Sequence, residues 1–187
     1  SFYQPLFVYI NTLFLETLDQ REYRNGLAEM IKAGLIGDKH LYHFLQTEEH
    51  VSIKEINMAI QVKRNLVLID PFDHHERMYL NFGHTFGHAI ELKHQYKMYK
   101  HGEAISYGML IALKIGIAKG ETPEYLYDEV KEILLRLNLV KEPLLVKEDY
   151  LEYIKKDKKF VNSNLNFIVI PKVGQAKHIQ MKESDLI

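Results

Sequence analysis

Six of the ten histidines (His74, His75, His84, His88, His94 and His101) fall between positions 74 and 101, and that is where chemistry should be sought. His84 and His88 are four residues apart, so on a helix both project from one face, and Glu91 lies a further turn along on that side. The chain has no cysteine. Disulfides, thiolate zinc sites and a cysteine nucleophile are therefore excluded together, and any metal must use His, Asp or Glu. Neutral imidazole is the commonest metal ligand. Two histidines with a carboxylate, and one position left for substrate or water, form the expected shell of a catalytic zinc. A zincin arrangement does not fit, because Thr85 stands where the glutamate base would follow the first histidine.

Asp73-His74-His75 matches the signature tripeptide of the DHH phosphoesterases. The segment before it reads as helical and carries no further aspartates at strand ends, so solvated loop residues are the better reading. Lys63 is out of place on an apolar helical stripe, where an ammonium must either reach water or meet an anion. Together with Arg77 and Asn81 it points to a small anionic substrate carrying carboxylate or phosphate.

The elements that must position these groups are mostly helical. An opening apolar stretch, Leu6 to Ile10, reads as a strand, and a chain that starts in mid-element looks like a cut piece. Phe14, Leu15 and Leu18 suit a short helix, and Leu27, Met30, Ile31, Gly34 and Leu35 recur at helical spacing in a second. Asp38 can cap a third, holding Leu41, Phe44 and Leu45. From Ser52 to Ile69 the stripe is Ile53, Ile56, Ile60 and Val67, with Lys63 on it, and Asp70-Pro71 then breaks the helix. A polar loop runs to Gly83. Helices are expected from His84 to His94, and from Glu103 to Lys119 between Gly102 and Gly120. Another should run from Thr122-Pro123-Glu124, with Thr122 as cap, to Leu137, and a last basic one from Asp149 to Lys159. The alternating segment Asn164 to Ile170, a turn at Pro171 to Gly174 and a strand near Ala176 to Ile179 predict a hairpin. The expected fold is mainly α, one domain over residues 1–187, with minor β pieces at both ends.

Composition agrees with a packed domain: 47% of the 187 residues are apolar and 26% charged. A net charge of -1 provides no broad positive field, which argues against nucleic acid as a partner. No run of about 18 apolar residues exists to span a membrane, and the N-terminus has no signal-peptide pattern. A cytoplasmic setting fits the absence of cysteine.

Leu80-Asn81-Phe82-Gly83-His84-Thr85-Phe86-Gly87-His88-Ala89-Ile90-Glu91 resembles the most characteristic segment of the 3-dehydroquinate synthases. Gly26-Leu27-Ala28-Glu29-Met30-Ile31-Lys32 is similar to that family's G-x-A-E-x-I-K helix, and His101-Gly102-Glu103-Ala104 to its H-G-E-A element. Asp157-Lys158-Lys159, followed by Phe167 to Ile170, resembles its closing D-K-K stretch. The motifs occur in family order along nearly the whole chain.

The resemblance implies that Glu29, His84 and His101 ligate zinc or cobalt. It further implies that Lys32, Lys63, Arg77, Asn81, His88 and Lys158 bind substrate, with Lys159 close behind, and that Lys32, Lys63 and His88 are catalytic. Asp73 stands where the family usually has Glu, one methylene longer. The implied enzyme is a lyase of the shikimate pathway that turns 3-deoxy-D-arabino-heptulosonate 7-phosphate into 3-dehydroquinate and phosphate. Its NAD is recycled, and the leaving phosphate can itself accept the proton. The NAD site would lie mainly on a Rossmann-like N-terminal domain, and no G-x-G-x-x-G fingerprint occurs in these residues. The complete enzyme would be a homodimer, and this part alone would fold without catalysing. Rival readings are another sugar-phosphate cyclase, a metal-dependent polyol dehydrogenase, or a non-catalytic helical metal-binding module.

Overall fold

The computed structural model describes residues 6–154, 160–161 and 164–182. Seven α-helices occur among them: α1 (Gln20–Gly37), α2 (Lys39–Thr47), α3 (Ile53–Ile69), α4 (His84–Lys93), α5 (His101–Ala118), α6 (Tyr125–Arg136) and the short α7 (Leu151–Ile154). Strands β1 (Phe160–Val161), β2 (Asn164–Lys172) and β3 (Gln175–Lys182) form an antiparallel sheet in that order.

The caps follow the sequence. Asp19 accepts from Arg21 N and Glu22 N to start α1. Asp38 ends α1 and accepts from His40 N and Leu41 N to start α2, and Ser52 with Glu55 closes a capping box on α3. Gly120 stops α5 in the left-handed region, φ 70°, with Glu121 N donating to Gly116 O.

Helix α5 is apolar nearly all round, as a helix surrounded by protein must be. It packs against α1, α4, α6 and β2. One cluster of buried side chains joins these elements, from Leu27, Ile31 and Leu35 through Phe86, Ile90 and Ile105 to Phe167, Val169 and Ile170. Phe86 of α4 meets Phe167 of β2 edge-on at 6.5 Å, tying the helices to the hairpin. Each such ring, fully buried, contributes roughly 1.5–3 kcal/mol.

Several expectations are corrected. Residues 7–10 form no strand. Leu6 and Phe7 are 94% and 81% exposed, and an isolated extended segment has no partner to satisfy its backbone. The following 3-10 turn, Thr12–Thr17, stops before Leu18. In α3 the side chains packed on the core are Met58, Ala59, Val62 and Leu66, while Ile53 and Lys63 are exposed. Val62 fits the notch left by Gly37 of α1, where a Cβ would lie 2.7 Å from its Cγ1, and that match sets the helix rotation.

Thr122 does not cap α6. Its buried hydroxyl accepts from Ile170 N at 3.4 Å instead, and Glu124 is the N-cap without a side-chain bond. Helix α5 begins at His101, two residues earlier than expected. The expected Asp149–Lys159 helix is seen as a 3-10 turn, Lys147–Tyr150, followed by α7, and residues 155–159 lie outside the described residues. The hairpin forms as expected, with strands longer than predicted and an irregular register between Val169 and Lys172.

Candidate metal centre

Two close helix contacts bring the ligands together. Gly83, with φ 77°, is the N-cap of α4, and a side chain there would run into Met109 and the Ile105 carbonyl of α5. At Gly108 a Cβ would overlap the Gly83 carbonyl and stand 2.8 Å from Gly87 N. Glycine at these positions lets α4 and α5 touch backbone to backbone. His84, in the first turn of α4, and His101, the first residue of α5, consequently face each other with ring centroids 5.4 Å apart.

The third wall is α1, clamped onto the start of α5 by polar contacts. Arg21 makes two bonds of 2.7 Å to the Glu103 carboxylate, and Glu22 pairs with Lys100 at 2.5 Å. Asn25 Oδ1 accepts from Gly102 N, so an α1 side chain serves as a cap for α5. One turn beyond Asn25 on α1 stands Glu29.

Glu29 Oε1 lies 3.8 Å from His84 Nε2 and 3.8 Å from His101 Nε2. That oxygen is buried and accepts no hydrogen bond, although the side chain as a whole is part exposed. Its twin, Oε2, is held by Lys32 Nζ at 2.7 Å. Both rings are engaged through Nδ1: His84 with Phe82 O at 3.1 Å, and His101 with Glu91 Oε1 at 3.0 Å. A carbonyl can only accept, so His84 Nδ1 carries the proton and Nε2 presents a lone pair. Burial first, and then the Lys32 charge, push the His84 pKa down to about 2, keeping the ring neutral.

The 3.8 Å pairs are therefore not ion pairs for His84. Three possible ligand atoms converge, one from each of Glu29, His84 and His101, all within 4.8 Å of one another. The donor set of two nitrogens and one oxygen fits zinc or cobalt, and the three residues could hold such an ion. Lys32 is buried, and burial lowers its pKa against the opposing pull of Glu29; Lys63 is near enough for its charge to lower it further.

Of the residues expected at the site, Glu29, His84 and His101 come together. His88 joins them, its ring 5.3 Å from that of His84 and 6.3 Å from that of His101, and Lys32 touches Glu29. Lys63 is exposed on α3, and its charge reaches Lys32. Asn81 ends the 3-10 turn Glu76–Asn81, next to the Phe82 carbonyl that holds His84. Arg77 is engaged with its own loop, donating Nη1 to Pro71 O at 2.7 Å. Asp73 is exposed, with φ 63°. His74 and His75 are loop residues, as expected. Lys158 and Lys159 lie outside the described residues.

Three contributors take partners that the sequence alone does not give. Spacing puts Glu91 on the His84 and His88 side, yet its partner is His101. Asn25 shares a helix face with Glu29, four residues on, and that spacing was the available clue. Asp70 also matters: burial pushes its carboxyl up, but bonds from His75 N, His74 N and Arg77 N outweigh this and hold it at about 2.

Residues 26–160 match the family model of the 3-dehydroquinate synthase C-terminal region. The 3-dehydroquinate synthase of Thermoanaerobacter pseudethanolicus is 36% identical, covering 100% of this chain and 55% of its own length. In fold the chain is similar to the 2-epi-5-epi-valiolone synthase from Streptomyces hygroscopicus subsp. jinggangensis, solved with NAD+ and Zn2+. That match has a TM-score of 0.79 at 22% identity and covers 95% of this chain and 52% of that one. It is also similar to a 2-deoxy-scyllo-inosose synthase complexed with carbaglucose-6-phosphate, NAD+ and Co2+. There the TM-score is 0.78 at 24% identity, covering 98% of this chain and 55% of the other. The chain spans about half the length of the curated relatives it matches. On the family match, and on an identity that runs the full length of the chain, it belongs to the 3-dehydroquinate synthase C-terminal family.

Proposed function

We propose that this chain is the metal- and substrate-binding part of a 3-dehydroquinate synthase, acting on 3-deoxy-D-arabino-heptulosonate 7-phosphate to yield 3-dehydroquinate and phosphate in aromatic amino acid biosynthesis. The observation that carries the reading is the buried, unbonded Glu29 Oε1 facing the Nε2 atoms of His84 and His101. These three residues hold one divalent cation, zinc or cobalt. When bound, such a cation would supply Lewis-acid chemistry at a substrate oxygen, and NAD would supply reversible hydride transfer.

The chain's own groups bind and orient. Lys32 locks Glu29 by Oε2 and offers a buried positive charge beside the metal ligands. His88 sets a third ring against the pair. Lys63, Arg77, Asn81 and Lys158 receive the two anionic ends of the substrate, with Asp73 at the loop, and that need for cations explains a site with few carboxylates. A substrate with both carboxylate and phosphate uses this set better than a simple polyol does. NAD is held mainly by a preceding Rossmann-like domain, against which this chain forms one wall of a cleft. The complete protein is a cytoplasmic homodimer. No helix among the described residues is long and apolar enough to cross a membrane.

The deciding experiment joins this chain to the N-terminal half of a 3-dehydroquinate synthase and follows phosphate release with NAD and zinc or cobalt present. Turnover of the heptulosonate phosphate is expected from the combination and none from this chain alone. Turnover by this chain alone, or metal binding to the combination with no turnover, would sink the assignment.

A further inference from the structure

We propose that Glu91 is the positioning residue of the metal centre: its carboxylate fixes the tautomer and ring orientation of His101, and its backbone carbonyl holds the turn that delivers His101 to the site. The inference rests on reading Glu29, His84 and His101 as a metal shell.

His84 and His101 differ in how their rings are held. His84 lies within the α4–α5 contact, its side chain 13% exposed, and packing restrains it. His101 is the first residue of α5 and its side chain is 44% exposed, so packing cannot set its ring. A polar tether must do so. Glu91 on α4 is 7% exposed, and its Oε1 lies 3.0 Å from His101 Nδ1. A carboxylate accepts, so the ring nitrogen facing it donates, and in the neutral ring that leaves the lone pair on Nε2, which faces Glu29 Oε1 at 3.8 Å. Neutral histidine without such a partner prefers its proton on Nε2, where it would block a metal.

The backbone of Glu91 serves the same end. Gln95 and Tyr96 take φ values of 54° and 57°, a conformation unfavourable for residues with a side chain. Tyr96 N donates to Glu91 O at 2.8 Å, and Gln95 N to Leu92 O and Lys97 N to His94 O at 3.1 Å each. This turn reverses the chain at the end of α4 and brings residue 101 back over residue 91. One buried residue thus fixes both where His101 arrives and which nitrogen it presents.

The test reads the ring directly. Long-range proton–nitrogen spectra of the metal-free 187-residue chain should show His101 with its proton on Nδ1. Glu91→Ala should shift it toward Nε2–H, and Glu91→Gln, whose amide oxygen still accepts, should keep it on Nδ1. Glu91→Leu, close to the native volume but without an acceptor, stands in if the alanine variant does not fold. A second arm titrates Co2+ alone. Glu91→Ala should bind it 10–100-fold more weakly with an altered cobalt absorption spectrum, and should add little to the loss caused by His101→Ala. A native ring protonated on Nε2, an unchanged tautomer in both non-accepting variants, or equal losses with and without His101 would overturn the proposal. Should the native chain hold its proton on Nδ1 yet bind no Co2+, the metal reading fails while the hold of Glu91 on the ring stands.

Discussion

Glu29, His84 and His101 stand on three helices whose contact faces are buried, whereas Asp73, His74 and His75 stand on an exposed loop gathered by one carboxylate, that of Asp70. In the first region each ligand has a separate hold: Lys32 on Glu29, the Phe82 carbonyl on His84, Glu91 on His101. In the second, the backbone N–H groups of His74, His75 and Arg77 share one carboxylate. The difference teaches that the geometry of the proposed metal site is built into helix packing, while the proposed substrate loop is placed by a local device that can be undone alone.

The harshest way to break the comparison is to part α4 from α5. Gly108→Val puts a branched side chain against the Gly83 carbonyl and Gly87 N, backbone that cannot move aside. A loss beyond about 3 kcal/mol is expected, past the usual range for overpacking. Urea denaturation measures it, and metal binding should vanish with the fold.

Glu29→Ala should spare the fold and remove the metal. For the native chain, Co2+ at about 100 times its Kd should add about 2.7 kcal/mol to unfolding. The variant should gain almost nothing, and a Tm rise equal to the native one would remove Glu29 from the shell.

A subtler break is Asn25→Ala, which takes the cap from Gly102 N. Loss of a cap costs roughly 0.5–2 kcal/mol, and metal affinity should fall with it because His101 precedes that amide. Asn25→Asp keeps the accepting oxygen and should restore both. If the alanine variant binds Co2+ as the native chain does, the clamp of α1 on α5 does not govern the ligand distance.

The smallest effect belongs to the loop. The folded pKa of Asp70, about 2, lies below its ordinary 3.8. The order it confers is therefore fully present above about pH 4 and is lost as pH falls through about 2. Amide exchange at His74, His75 and Arg77 should quicken across that window, and at neutral pH in Asp70→Asn, with Co2+ affinity at neutral pH unchanged in the variant. Loss of metal in Asp70→Asn would show that the two regions are one unit.

Much of the fold was legible because it rests on local rules. Asp38 and Ser52 announce helix starts and Gly120 a stop, α5 betrays its burial by having no polar face, and alternation marks the hairpin. Sequence alone also determined the options for a metal: no cysteine, clustered histidines, and four motifs in family order. Tertiary structure decided the rest, since each remaining choice depends on an atom from a distant element. The notch at Gly37 selected which stripe of α3 faces inward and left Lys63 exposed. The amide of Ile170 drew Thr122 away from its cap. Glu91, read with His84 and His88 by its spacing, met His101 because a left-handed turn at Gln95 and Tyr96 folds α5 back over it. Spacing on one helix shows which side chains share a face, but the nitrogen a histidine presents is set by whatever hydrogen-bonds to the other one, and that partner arrives only when the helices pack.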